Sequence, residues 1–128
     1  MKRNLVKMLN RIAQIIYDKK GFNILALNLK GQSSIADYLL IAEGNVDRHV
    51  VSIARAIIED FKDIPVRVEG LANGDWIVLD FTDIIVHLFQ PGVREKYSLE
   101  KLWKGSHIVD LTIDVSKDAH GKTLSCGM

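Results

Sequence analysis

Residues 76–89 read Trp76-Ile77-Val78-Leu79-Asp80-Phe81-Thr82-Asp83-Ile84-Ile85-Val86-His87-Leu88-Phe89. β-Branched and aromatic runs lie on both sides of Phe81-Thr82-Asp83, the composition of two strands joined by a tight turn. The pattern predicts a hairpin with strands Trp76–Asp80 and Ile84–Phe89. Gly74-Asp75 opens it and Pro91-Gly92 closes it. Strand side chains alternate faces, so Trp76, Val78 and Asp80 point one way and Ile77 and Leu79 the other. One face of the hairpin is therefore more polar and aromatic than a core needs. Beyond it, Arg94, Glu95 and Tyr97 fall in a predicted short helical segment. Ser98 is placed to cap a last helix through Leu99, Leu102 and Trp103.

Working outward, the elements before the hairpin alternate in type. Leu5, Met8, Leu9, Ile12 and Ile16 recur at helical spacing, with Lys7, Arg11 and Gln14 opposite, which predicts an amphipathic helix over residues 4–19. Asn4 is its candidate N-cap and Gly21 its stop. Residues 23–29 alternate Ile24, Ala26 and Asn28 against Leu25, Leu27 and Leu29, a strand buried on both sides. Residues 33–37 are expected to make one helical turn, and residues 38–43 a second apolar strand. Val50, Ile53, Ala54, Ile57, Ile58 and Phe61 form the clearest stripe in the chain, so a helix is predicted from about residue 48 to 62, capped by Asp47. A short strand follows over 66–69. The predicted class is α/β: a mixed β-sheet flanked by helices, with parallel pairs from helical crossovers and antiparallel pairing at the hairpin. Residues 112–128 lose the periodicity and read as a mobile or loosely docked tail.

Length and composition bound the rest. A chain of 128 residues, 48% hydrophobic and 26% charged, is one ordinary globular domain. The single cysteine, Cys126, has no partner for an internal bridge, which fits a reducing, cytoplasmic location. No apolar run approaches the ~18 residues of a membrane span, so no membrane partner is expected. Net charge is +1, but unevenly spread: residues 1–20 carry six Lys/Arg against one acid, and residues 21–110 carry nine against thirteen. An acidic body argues against a broad nucleic-acid footprint and suits a basic protein partner, leaving at most peripheral nucleic-acid contact through the basic first helix. The plainer reading of that helix is a solvated face.

Chemistry finds little material. His49, His87, His107 and His120 are scattered, and Cys126 lies near the end of the chain. The most tempting pair is Asp80 and Asp83, because two carboxylates on neighbouring strands hold magnesium in phosphoryl and nucleotidyl transfer. Three-residue spacing puts them on opposite faces of a straight strand, and Asp is common in turns. No G-x-x-x-x-G-K-[ST] or G-x-G-x-x-G precedes them. No cofactor and no metal is therefore expected, and an enzyme using Asp80 and Asp83 is the alternative reading. What remains is a surface rich in Trp, Tyr and Arg, the residues that most often carry interface energy. Phe81 and Trp103 read as core; Trp76, flanked by Asp75, reads as partly exposed.

An ordered set of segments resembles the ribosomal silencing factor family, the Iojap-related proteins, over about residues 5–110. Its anchors are Ser33-Ser34-Ile35-Ala36-Asp37-Tyr38, Glu69-Gly70, Asp75-Trp76-Ile77-Val78-Leu79-Asp80-Phe81, Val86-His87-Leu88-Phe89, and Arg94-Glu95-Lys96-Tyr97-Ser98-Leu99-Glu100-Lys101-Leu102-Trp103. The resemblance implies a nucleotidyltransferase-like fold lacking the catalytic signature, in a domain over residues 1–110 followed by a tail over 111–128. It implies a non-enzymatic protein that binds the large ribosomal subunit through its fourteenth protein, sterically blocks joining of the small subunit and represses translation. Asp75, Trp76, Asp80, His87, Phe89, Arg94, Glu95 and Tyr97 are the candidate partner-binding residues. An exposed apolar hairpin face also raises the expectation of a homodimer when the protein is free.

Overall fold

The computed structural model describes residues 4–31, 36–93 and 107–115. The expected features at Ser33–Ile35, Arg94, Glu95, Tyr97, Ser98–Trp103, His120 and Cys126 lie outside these residues. Helix α1 spans Leu5–Asp18. Asn4 caps it as the spacing predicts: its Oδ1 accepts from the Lys7 amide at 3.0 Å. Strands β1 (Phe22–Asn28) and β2 (Tyr38–Glu43) follow, then helix α2 (Asp47–Asp60). Strands β3 (Arg67–Glu69), β4 (Trp76–Asp80), β5 (Ile84–Phe89) and β6 (His107–Ile108) complete the order. The hairpin strands match the expected boundaries residue for residue.

Asp47 departs from expectation. The residue in the N-cap position of α2 is Val46, in extended conformation and with no side-chain cap. Asp47 is the first helical residue, and its Oδ1 accepts from the Arg48 amide at 2.8 Å. Its charge still favours that end of the helix dipole. β1 begins one residue earlier than expected, because its register shifts between Phe22 and Leu25. There Asn23 takes φ +51°, a left-handed conformation that asparagine tolerates. Ala36 and Asp37 are not helical; the amides of Asp37 and Tyr38 both donate to the Asp83 carbonyl instead, at 2.9 and 3.1 Å.

The strand order is β3-β4-β5-β2-β1-β6. Among the described strands only β2 and β5 pair in parallel, joined by a crossover that contains α2, β3 and β4; the other neighbours are antiparallel. The β1–β2 connection is too short for a helical crossover and forces antiparallel pairing. Helices α1 and α2 lie on one face of the sheet. Leu9, Ile12 and Ile16 of α1 and Ile53 and Ile57 of α2 are fully buried against Ile24, Ala26, Leu40, Ile77, Leu79, Ile84, Val86 and Leu88. Each such aliphatic side chain contributes about 1.5–3 kcal/mol through burial. Phe81 belongs to this core, and Phe61 meets it edge-on at 5.9 Å. At the rim Arg11 forks onto Asp60, with bonds of 2.9 and 2.8 Å, and ties the two helices together. Those bonds hold the Asp60 carboxyl below its ordinary range and raise Arg11 above its own.

After β6 the chain runs along α1. The Thr112 amide donates to Asn10 Oδ1 at 2.9 Å, and the Asp114 amide to Gln14 Oε1 at 2.6 Å. Gln14 Nε2 returns a bond to the Asp114 carbonyl at 3.1 Å. Val109, Leu111 and Ile113 pack toward the helical core. Residues 112–115, read from the sequence as the start of a loose tail, are thus an extended strap held by two side-chain amides one helical turn apart. Asn10, Arg11 and Gln14 spend much of the outer face of α1 on contacts within the chain.

Candidate functional site

The second face of the sheet carries the hairpin residues singled out above. Residues directly opposite in a ladder share a face, and the β4–β5 register pairs Trp76 with Phe89, Val78 with His87 and Asp80 with Ile85. The turn sets this register, because a three-residue connection over Phe81–Asp83 leaves Asp80 and Ile85 as the first facing pair of this face. Asp80 Oδ1 accepts from the Thr82 amide at 2.8 Å, and Thr82 takes φ +80°.

Three rings gather at the other end of the hairpin. The Trp76 indole lies 5.2 Å from the Phe89 ring, tilted by 33°. His87 stacks on Phe89 at 5.9 Å with planes 11° apart. Trp76 Nε1–H donates to His87 Nδ1 at 2.9 Å, across the strands and two residues along the ladder. Phe89 is wholly buried, and Leu27, Leu29, Leu39 and Ile41 complete the apolar floor. Phe89 therefore supports the surface from beneath, while Trp76 and His87 are half-buried at its edge. Burial pushes the His87 pKa down from 6.5 to about 4. A neutral ring is also what the geometry requires, since Nδ1 must keep its lone pair to accept from the indole.

Acidic groups fringe the rings. Asp75 is exposed; its Oδ1 accepts from the Trp76 amide and its carbonyl from the Gln90 amide, at 2.9 and 3.0 Å. Glu69 faces Val78 and Arg67 faces Asp80 across β3–β4. Of the expected site residues, the structure brings together Asp75, Trp76, His87 and Phe89. Asp80 stands apart, four residues along β4 from Trp76 and so about 13 Å away. Its carboxylate is turned onto the hairpin turn, and Asp83 serves the sheet through its backbone carbonyl. Among the described residues no three His, Cys, Asp or Glu side chains form a group able to hold a metal ion. No described helix is long and apolar enough to cross a membrane.

Reading the sequence alone missed two features of this face. Glu43 ends an otherwise apolar strand opposite Phe89, is 5% exposed, and accepts from Asn23 Nδ2 at 2.9 Å. The only signal for it was a carboxylate closing five uncharged residues. The second feature is the Trp76–His87 bond, for which the turn length was the signal: with Asp80 opposite Ile85, Trp76 faces Phe89 and lies diagonal to His87, two residues along the ladder.

A mixed sheet with α1 and α2 on one face and an aromatic, acid-fringed hairpin surface on the other defines a small α/β protein whose distinguishing surface is built by β4 and β5. The chain belongs to the ribosomal silencing factor family: the family model described as "Ribosomal silencing factor during starvation" matches residues 2–125. It is 38% identical over 103 residues to the ribosomal silencing factor RsfS of Bacillus subtilis, a match covering 78% of this chain and 87% of that one. It is 26% identical over 101 residues to the mouse protein named mitochondrial assembly of ribosomal large subunit protein 1, covering 74% of this chain and 44% of that one. Among solved structures, a Bacillus halodurans protein is 34% identical with a TM-score of 0.71, covering 82% of this chain and 98% of that one. A Chromobacterium violaceum protein is 26% identical with a TM-score of 0.74, covering 91% and 98%.

Proposed function

We propose that this protein binds the large ribosomal subunit through its fourteenth protein, bars the small subunit from joining, and so represses translation without catalysing a reaction. The observation that carries this reading is the braced Trp76 indole, half-buried beside exposed Asp75 on a rigid hairpin. A partly exposed tryptophan on a preformed strand surface suits an interface anchor. Ribosomal proteins are basic, so the acidic body steers the encounter and Asp75 and Glu95 offer partners for lysine or arginine. Rim pairs of that kind contribute little; the aromatic centre supplies most of the affinity. Arg94 and Tyr97 are further partner-contacting residues in this proposal, with His87 and Phe89 supporting the patch, and Asp80, about 13 Å along β4, meets the partner beyond its far edge. Mechanistically the protein needs only to hold its position, since bulk placed on the joining surface is sufficient to exclude a second particle.

The test is a subunit-joining assay. Purified large and small particles are mixed with excess protein and separated on a sucrose gradient. The expected result is loss of joined particles, with the protein migrating in the large-subunit fraction. Trp76→Ala, checked for folding, should weaken that association by about 2 kcal/mol or more. Normal joining in the presence of excess wild-type protein would overturn the proposal.

A further inference from the structure

A tryptophan at an interface can act through its ring or through its single N–H donor, and here the donor is already taken. His87 Nδ1 accepts it at 2.9 Å. The acceptor comes from the neighbouring strand, so the bond fixes the indole relative to β5 as well as to its own strand. Phe89, wholly buried and lying against both other rings, closes the arrangement from below. An aromatic side chain has two torsions to order on binding, and one held in place beforehand costs less to order.

We propose that His87 is the positioning residue of the docking surface: it presets the Trp76 indole and, by occupying its N–H, makes Trp76 an apolar plate. This rests on the docking reading given above. The partner feature such a plate suits is an apolar side chain or the aliphatic stem of a lysine or arginine, with its cation reaching the acidic fringe. It does not suit a carbonyl or carboxylate seeking a donor from the indole. His87 is not required to touch the partner.

The role can be separated from simple packing by the choice of replacement. Asparagine places an amide oxygen close to where Nδ1 sits and so retains an acceptor for the indole. Phenylalanine keeps a ring to stack on Phe89 and removes the acceptor; glutamine extends past the Nδ1 position and serves as a second variant lacking it. The indole N–H resonance of Trp76, assigned with Trp76→Phe, is followed by NMR together with cosedimentation on purified large subunits. Expected are a displaced resonance and about tenfold weaker binding for His87→Phe and His87→Gln, the order expected for one lost part-buried hydrogen bond. His87→Asn should restore binding to within about twofold of wild type. An unmoved indole resonance in folded His87→Phe or His87→Gln, or unchanged binding with a moved one, would overturn the positioning role. Absence of large-subunit binding by the wild-type protein would instead remove the docking reading on which the role rests, even with the resonance displaced as expected.

Discussion

Acid should weaken this fold through His87. The ring is half-buried and its Nδ1 lone pair is committed to Trp76, and this desolvation lowers its pKa from 6.5 to about 4. In the unfolded chain it titrates near its ordinary value. Between those two values the unfolded chain binds more protons, so stability rises with pH across the window. The contribution of the neutral ring is thus fully present above pH 6.5 and is lost as pH falls toward 4. A gap of about 2.5 units at about 1.4 kcal/mol each gives about 3–4 kcal/mol in full, of which about 3 kcal/mol is lost by pH 4, where the folded ring is half-protonated. That is a large fraction of the roughly 5–15 kcal/mol that holds a typical domain together. The assay is urea unfolding at a series of pH values from neutral to about 4, on wild type and His87→Phe. His49, His107 and the charged groups on the same face, Arg67, Glu69, Asp80 and Glu43, are present in both proteins and drop out of the difference. Wild type should lose about 3 kcal/mol more than the variant over the window. Parallel stability curves for the two proteins would refute the reasoning.

Three further outcomes test the fold around the surface. Gly70 has φ +82°, and a Cβ there would collide with the Trp76 carbonyl; Gly70→Ala should cost about 2 kcal/mol or more and displace the start of β4, read by chemical denaturation and the Trp76 indole resonance. Replacing Asn10 and Gln14 together by alanine should release the strap, seen as faster hydrogen exchange at the Thr112 and Asp114 amides, while the β4 and β5 amides stay protected. Asp60→Ala removes the fork to Arg11, whose side chains are 51% and 32% exposed, so the loss should be only about 0.5 kcal/mol and should shrink in high salt.

Much of the architecture was legible in the chain because its strongest elements are locally encoded. The stripe from Val50 to Phe61 can satisfy its apolar face only as a helix, and Asn4 caps α1 with an interaction reaching three residues. The hairpin was readable to the residue, since alternation and turn length agree. The strap was not read from the chain: Leu111, Ile113 and Val115 alternate with Thr112 and Asp114, but the polar residues that follow made residues 112–128 read as a loose tail. Asp47 misled because an acid beside a helix start is compatible with both the capping position and the first turn, and only the backbone angles distinguish them. The surface was half legible. Trp76 could be placed at an edge from its neighbours, whereas the burial of Glu43 beside Phe89 could not.

The amino-acid order by itself determined α1, α2 and strands β1 to β5, though not β6 or the non-helical course of residues 36–37, together with where the hairpin turns and which face of it carries Trp76, His87 and Asp80. These follow from interactions spanning a few residues, with the period of the apolar side chains dictating the element. Tertiary structure alone decided that β2 runs parallel beside β5, that α1 and α2 share one face, and that the strap lies on α1. It also decided that His87 stays neutral. Each of these depends on contacts between residues distant in the chain, where what sets the outcome is the area removed from water and the polar groups that must find partners there.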